Sequence, residues 1–223
     1  MGKILRCYNS VGSRYLSRLS AIVFKGYRGK KNMCGIAGLI HRGKSSNVGN
    51  ELQQMLQALK HRGPDSTGYA LYAENEGKNF IMRFKVGENV GEGSSSVNED
   101  ESVYDERKKL VDSMLSDLGA KIIKEDRLTP YSFRYEMDFN KDLMEFSKKI
   151  ESIENVEILS IGKSLELIKD LGDAKVVSDR YNLSKVKGTH AIGHARMATE
   201  SGVDIKSAHP FWGYPFSDVS VVH

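Results

Sequence analysis

The stretch Met33-Cys34-Gly35-Ile36-Ala37-Gly38 places a cysteine directly before a short apolar segment. The apolar residues that follow the cysteine predict a first strand over residues 34–41. If everything through Met33 is removed, Cys34 becomes the first residue and carries both a thiol and a free α-amino group. Such an amine has a reference pKa of about 7.7–8, so it can accept the thiol proton near neutral pH. The stretch therefore predicts an N-terminal cysteine nucleophile held at the end of a sheet strand.

Two further sequence blocks lie downstream of this cysteine. The first reads HRGPDSTG over residues 61–68, and the second reads GHARMATE over residues 193–200 and leads to AHPF at residues 208–211. In this order, and together with the stretch around Cys34, the blocks resemble class II glutamine amidotransferases, which release ammonia from glutamine. The resemblance implies an α+β fold of the N-terminal-nucleophile hydrolase type, which is a four-layer αββα sandwich.

The same resemblance implies a role for individual residues of the three blocks. Cys34 is the implied nucleophile, and Arg196 is implied to hold the α-carboxylate of glutamine, which a guanidinium group can bind through two parallel hydrogen bonds. The remaining implied substrate-binding residues are Thr199, Arg62, Gly63, Met197 and His209. Several members of the family have tryptophan where this chain has Met197, but a methionine can also form an apolar wall over a bound side chain.

Three histidines near the end of the sequence, His194, His209 and His223, also invite a metal or catalytic-triad interpretation. Their spacing does not match a metal-ligand pattern, so the sequence favours histidines that occupy sheet and turn positions. By resemblance, His209 and His223 match family motif positions and support the pocket. No metal and no organic cofactor is expected in this chain.

Residues 1–33 form a basic leader with eight lysines and arginines and no acidic residue. Without them the formal charge changes from +4 to about −4, so the charge predicts no nucleic-acid partner. Four interpretations stay open: an upstream start with Met33 as the true initiator, a propeptide, an organelle transit peptide, or a basic arm that is never removed. In the last case the terminal-amine chemistry fails, because an amide nitrogen is not a base.

Composition and periodicity divide the remaining chain into three parts. Residues 34–92 are expected to be the first part of the amidotransferase domain, residues 93–185 an inserted small α+β lobe, and residues 186–223 the continuation of the domain. A Gly- and Ser-rich stretch followed by an acidic run marks the first boundary. Apolar residues alternate with polar ones over residues 131–139 and predict a half-buried strand. Strand-like runs around turn residues predict a hairpin that starts at 69–72 and returns over 80–86, and a second hairpin over 156–168. A lobe in this position resembles the stand-alone amidotransferase subunits of glutamate synthase.

The family pattern also implies residues beyond the end of the sequence. In the family an Asn-Gly pair follows the position of His223 and stabilises the oxyanion, and a later aspartate holds the substrate ammonium group. Because both are missing, the chain is expected to be C-terminally truncated and inactive alone. The implied ligand is L-glutamine, and the implied partner is an ammonia-accepting synthase subunit or domain that carries FMN and an iron–sulfur cluster.

Two other function classes stay open from the residues themselves. Residues 38–45 read GLIHRGKS, which satisfies the phosphate-binding P-loop pattern ahead of a predicted helix over residues 48–60. The chain could also be a non-catalytic relative that acts as a binding or regulatory module. Two cysteines provide no disulfide framework, and no apolar run is long enough to cross a bilayer, so the expected setting is the cytoplasm without a membrane partner.

Overall fold

The computed structural model of the protein describes residues 19–24, 34–74, 79–87, 100–197 and 208–223. These residues form an α+β fold with four α-helices and with antiparallel strand pairing. They belong to two compact units. Unit 1 comprises Met1–Glu74, Lys169–Pro210 and Val222–His223, and unit 2 comprises Asn75–Ile168 and Phe211–Val221.

The elements have the following bounds in chain order. The strands are β1 Leu19–Phe24, β2 Gly35–His41, β3 Ser66–Ala73, β4 Phe80–Lys85, β5 Lys121–Thr129, β6 Ser132–Asp138, β7 Glu157–Gly162, β8 Leu165–Leu171, β9 Gly188–Arg196, β10 Phe211–Trp212 and β11 Ser220–Val221. The α-helices are α1 Val48–Ala58, α2 Glu101–Asp117, α3 Leu143–Ile150 and α4 Ala174–Arg180, and the short 3-10 helices are Lys60–Arg62 and Leu183–Lys185. None of the helices within the described ranges has the length and apolar character needed to span a bilayer.

The strands of unit 1 belong to a five-stranded sheet with the order β1-β2-β9-β3-β8. The boundary between the units falls within β8, so that its first residues, 165–168, belong to unit 2 and its last, 169–171, to unit 1. One face of this sheet packs against α1, where the side chains of Leu52 and Leu56 are completely buried. The side chain of Asn47 fixes the start of α1 by accepting a hydrogen bond of 3.1 Å from the Asn50 N–H. The predicted helix over residues 48–60 is therefore confirmed, with its last turn tightened into the first 3-10 helix.

The strand predicted to come first is the second strand of the sheet. A strand inside the basic leader, β1, pairs antiparallel with β2 along its whole length, from Leu19 opposite His41 to Phe24 opposite Ile36. The sequence interpretation overlooked the short apolar run AIVF at residues 21–24, which is a strand signal inside an otherwise basic segment. On its other side β2 pairs with β9, so β2 is hydrogen-bonded on both edges.

This pairing also decides the P-loop alternative. A phosphate-binding loop needs its middle residues in a tight turn whose N–H groups converge on the phosphate. Leu39 and Ile40 instead lie inside β2, opposite Ala191 and His190 of β9. The pattern at residues 38–45 is therefore a strand followed by a bend, and the P-loop interpretation is wrong.

Unit 2 is built on a four-stranded sheet with the order β5-β6-β4-β7. The strand predicted from alternation around residues 131–139 is confirmed as β6, and its residues Phe133, Tyr135 and Met137 are buried. The ring of Phe84 on β4 meets the ring of Tyr135 edge-on, with 5.0 Å between the ring centroids. These aromatic side chains belong to a core that also includes buried residues of α2 and α3.

Both predicted hairpins are wrong in their partners, although each predicted strand exists. β4, the expected return over residues 80–86, pairs with β6 and β7 instead of β3. β8, the expected second half of the 156–168 hairpin, belongs to the five-stranded sheet beside β3, whereas β7 belongs to the four-stranded sheet. Alternation shows which residues form a strand, but the partner is chosen by packing between distant segments, here the aromatic core around Phe84.

Unit 2 also buries an ionic cluster that the sequence did not reveal. Glu166 accepts hydrogen bonds of 2.8 Å from Arg83 Nε and of 2.9 Å from Arg134 Nε. Burial alone would raise the pKa of Glu166, but the two guanidinium groups outweigh it and hold the pKa at about 2. Arg134 also reaches Asp126 at 3.3 Å. A buried carboxylate is thus retained only because two cations share it.

We expect Glu166→Gln to lower the free energy of unfolding by about 3–5 kcal/mol at pH 7, because it leaves Arg83 and Arg134 buried without their shared counter-charge. The pKa of Glu166 lies below its unfolded-state value, so its contribution is complete above about pH 4.5 and is lost as the pH falls toward 2. Urea unfolding at several pH values measures both effects, and the gap between the two proteins should narrow in acid.

Glu145→Gln provides the matched control in the same unit. Glu145 pairs with Lys149 at 2.8 Å on α3, and its side chain is 70% exposed. Solvent screens such a pair, so the expected loss is below about 0.5 kcal/mol. Equal losses for the two substitutions would contradict the role assigned to the buried cluster.

Candidate active site

The candidate site lies at the end of β9 in unit 1. The last paired residues of β2 and β9 are Gly35 and Ala195, so Cys34 and Arg196 are the next residues on these two strands. On the other side of β9, Arg196 lies opposite Ser66 of β3. Cys34 is exposed and reduced, with no disulfide. Three neighbouring strands therefore bring Cys34, Arg196 and Ser66 to the same end of the sheet.

The turn of the HRGPDSTG block is packed directly against this strand end. A Cβ atom added to Gly63 would lie 2.4 Å from the carbonyl carbon and oxygen of Ala195 and 2.5 Å from the carbonyl carbon of Arg196. The Asp65 N–H donates a hydrogen bond of 3.2 Å to the Arg196 carbonyl. Only glycine allows this approach, which holds Arg62, the preceding residue, beside the end of β9.

A second close approach involves the AHPF block. A Cβ atom on Gly68 would lie 2.0 Å from the His209 carbonyl oxygen and 2.7 Å from Pro210 Cδ, so this segment lies directly on β3. The ring of His209 meets the ring of His194 edge-on at 5.1 Å between centroids and lies 6.2 Å from the ring of His223. The three histidines therefore form a cluster in unit 1, next to the end of β9.

Burial and neighbouring charges keep the His194 imidazole of this cluster neutral. Burial, followed by the charges of His209, Arg196 and His223, lowers the pKa of His194 to about 4. Burial, followed by His223, Lys169 and Arg196, also lowers the pKa of His209. A neutral imidazole has one N–H donor and one nitrogen acceptor. No group of three or more His, Cys, Asp or Glu side chains among the described residues is arranged to hold a metal ion.

Several buried polar atoms at this end of the sheet lack a hydrogen-bond partner. Within the described part of the chain these are Arg62 Nη1, Ser66 Oγ and both ring nitrogens of His194. Ser66 is 0% exposed and His194 is 1% exposed, so bulk water does not satisfy them. Each such atom costs about 1–3 kcal/mol, and native proteins keep few of them. Their concentration here indicates a place where a polar ligand would be bound.

The structure brings most of the predicted site residues to this one region of unit 1. Arg62, Gly63 and Arg196 lie at the end of β9, Met197 directly follows that strand, and His209 lies over β3. Thr199 lies outside the described residues. The sequence interpretation missed Ser66 and gave His194 only a sheet or turn position, which its place in β9 confirms. The strand period of two would have indicated His194, because residues two apart on a strand share a face and His194 lies two residues before Arg196.

Comparison with known proteins relates part of this region to a described domain family. Residues 33–88 match the model of a glutamine amidotransferase domain, a range that includes Cys34, Arg62 and Gly63. The chain is 37% identical over 201 residues to a Methanothermobacter thermautotrophicus protein named "Putative glutamine amidotransferase", covering 86% of this chain and 60% of that protein. It is 29% identical over 196 residues to the "Glutamine amidotransferase-like protein GlxB" of Rhizobium meliloti, covering 86% of this chain and 58% of that protein.

The chain thus spans about three fifths of the length of these curated relatives. Within these limits, the chain is similar to proteins that carry glutamine amidotransferase names. The part of the site that the family model covers is the strand that starts after Cys34 and the turn that packs on β9.

Gly63→Ala is expected to destabilise unit 1, because its methyl group would overlap the backbone of Ala195 and Arg196. Overpacking of this kind typically costs about 1–3 kcal/mol, and backbone atoms cannot rotate away. Thermal unfolding measures the loss. Gly38→Ala is the control, because the nearest atom to its added methyl group lies 3.5 Å away in ordinary contact. A Gly63→Ala protein as stable as Gly38→Ala would refute the close approach.

Proposed function

We propose that unit 1 is the glutaminase part of a class II glutamine amidotransferase with the αββα N-terminal-nucleophile hydrolase architecture. The observation that carries this proposal is the strand register. Gly35 of β2 pairs with Ala195 of β9, Cys34 immediately precedes Gly35, and Arg196 immediately follows Ala195. A nucleophile and a carboxylate-binding cation thus occupy adjacent strands at one sheet end. That arrangement suits an amino acid whose side chain reacts while its α-carboxylate is held.

Each site residue has a role in this proposal. Arg196 binds the α-carboxylate of glutamine through its guanidinium fork. Arg62 and Gly63 line the pocket beside the nucleophile, and Met197 forms an apolar wall over the substrate. Thr199 is assigned to substrate binding by the family resemblance alone. His209 supports the pocket from the segment that lies on β3.

The proposed reaction proceeds in two balanced steps. The Cys34 sulfur attacks the side-chain amide carbon of glutamine, and the thiol proton passes to the free α-amino group of the same residue. That proton then moves to the departing nitrogen, so ammonia leaves and a thioester remains. Water attacks the thioester, which releases glutamate and restores the thiol. The sum converts glutamine and water into glutamate and ammonia.

This chemistry requires that residues 1–33 are removed from the working protein. The match to the amidotransferase domain model begins at residue 33, immediately before Cys34, which supports a domain that starts there. Removal takes β1 away from the edge of β2 and leaves the strand that carries Cys34 paired with β9. A peptide bond on the Cys34 nitrogen would leave the thiol without its base.

The ammonia acceptor is proposed to be a synthase of the glutamate synthase type, whose FMN and iron–sulfur cluster lie on the partner and not on this chain. The two curated relatives support only the amidotransferase half of this statement, through the names they carry. We place the reaction in the reducing cytoplasm, where the Cys34 thiol stays available for attack.

A glutamine-like diazoketone tests the nucleophile. With Cys34 as the first residue, the intact protein is expected to gain one inhibitor per chain, because the sulfur forms a stable thioether where glutamine would form a thioester. Peptide mass mapping should place the adduct on Cys34, and Cys34→Ala should gain none.

The second arm of this experiment measures the same labelling rate on a protein that retains residues 1–33 because its cleavage before Cys34 is blocked. It should react at least about a hundredfold more slowly, because its Cys34 nitrogen is an amide. Adduct formation at another residue, or equal labelling rates with and without residues 1–33, would contradict the terminal-cysteine mechanism and favour the non-catalytic module.

Arg196→Lys tests the substrate clamp separately. The lysine keeps the charge but loses the planar fork, so we expect the KM for glutamine to rise about tenfold or more while kcat changes less. Arg180→Lys is the matched control in unit 1, because Arg180 pairs with Asp170 at 2.8 Å on α4 and is assigned no role in the site. Steady-state glutamine hydrolysis distinguishes the two variants when it is measured on the protein completed by the expected downstream residues and beginning at Cys34. Similar KM values would contradict the assignment.

A further inference from the structure

Ser66 and His194 share one face of the five-stranded sheet with Arg196. Ser66 lies directly opposite Arg196, and His194 lies opposite Gly68, so Ser66 and His194 are diagonal neighbours on β3 and β9. Side chains in diagonal positions are about 7–8 Å apart, which leaves room for one small polar group between two reaching side chains. On the other side of β9, His194 lies opposite Ile36, two residues from Cys34.

The polar atoms of these two side chains have no role in holding the fold. Ser66 Oγ and both nitrogens of His194 make no hydrogen bond within the described residues, although both side chains are at least 99% buried. By contrast, the neighbouring hydroxyl of Thr67 points to the opposite face and donates a hydrogen bond of 2.8 Å to the Gly172 carbonyl. The strand therefore satisfies the polar group on its structural face and leaves the one on the Arg196 face available.

The chemistry of the pair defines which ligand group would satisfy it. A hydroxyl can both donate and accept, and a neutral imidazole offers one donor and one acceptor. A primary carboxamide needs the same mixture, because its oxygen accepts and its NH₂ group donates. A carboxylate only accepts, so the imidazole acceptor nitrogen would face a lone pair without a proton between them.

We propose that Ser66 and His194 form a subsite that binds the uncharged primary carboxamide of the ligand and discriminates against a carboxylate. The subsite rests on the proposed function and deepens it: it would let the site admit glutamine and release the glutamate that the reaction produces. Sites built to hydrogen-bond a group reject analogues that leave their buried polar atoms unpaired. Arg196 cannot make this distinction, because both amino acids present the same α-carboxylate to it.

The proposal predicts opposite effects on stability and on binding. Ser66→Ala removes an oxygen that has no partner in the fold, so the variant should be at least as stable as the parent. The same change should weaken glutamine binding, because the ligand loses a hydrogen bond. His194→Leu is the second variant and removes the acceptor nitrogen altogether.

The experiment is a calorimetric titration of L-glutamine, and separately of L-glutamate, into the protein that begins at residue 34. All variants also carry Cys34→Ala, which prevents turnover. Ser66→Ala and His194→Leu are each expected to weaken glutamine binding about tenfold or more while glutamate affinity stays the same or improves. Ser45→Ala is the matched control, because Ser45 Oγ also lacks a hydrogen-bond partner among the described residues. Ser45 lies away from the site, since the next residue, Ser46, pairs with Gly188 at the opposite end of β9. It should leave both affinities unchanged.

Each outcome has a distinct meaning. If the Cys34→Ala parent binds no glutamine, the proposed function itself fails. If the parent binds glutamine but Ser66→Ala keeps the parent's ratio of glutamine to glutamate affinity, the subsite is refuted and its polar atoms hold only ordered water. Ser66→Ala decides this even if His194→Leu does not fold, because thermal unfolding verifies its stability independently.

Discussion

The antiparallel pairing of β9 with β2 on one side and β3 on the other is the constraint on which unit 1 depends. It aligns Gly35 with Ala195 and Ser66 with Arg196, so the ends of three strands coincide. A slip of one residue would turn every side chain of β9 to the opposite face. His194 and Arg196 would then point into the helical layer around Leu56, where a charged group costs far more than it gains.

Two glycine contacts bring other segments of unit 1 onto this end of the sheet. At Gly63 the turn that carries Arg62 rests on the backbone of Ala195, and at Gly68 the His209 segment rests on β3. In both places main chain meets main chain at distances that a side chain would prevent. Because backbone atoms are less mobile than side-chain atoms, these contacts hold the two segments in place against the sheet. The proposed reaction would need such fixed groups, since small displacements reduce catalysis steeply.

Unit 2 is stabilised by different means from those that shape the site. Its aromatic core around Phe84 and Tyr135 buries one face of the four-stranded sheet, and the cluster of Glu166 with two arginines is buried within the same unit. There Arg83 and Arg134 share the buried carboxylate of Glu166. In unit 1, by contrast, Ser66 Oγ and both ring nitrogens of His194 are buried without a hydrogen-bond partner among the described residues. We assign the first cluster to the fold and the second pair to a ligand.

The sequence by itself determined the position of Cys34 before an apolar strand, the helix that became α1, the alternation that became β6 and the blocks that carry Arg62 and Arg196. These features are local, because they depend on periods of two or 3.6 residues and on turn chemistry. Only the tertiary structure decided that β4 pairs with β6 and not with β3, and that β8 lies beside β3. It also decided that Ser66 lies opposite Arg196, with no hydrogen-bond partner for its hydroxyl among the described residues. Periodicity states which face of a strand is buried, but the neighbour that buries it is selected by packing between segments far apart in the chain.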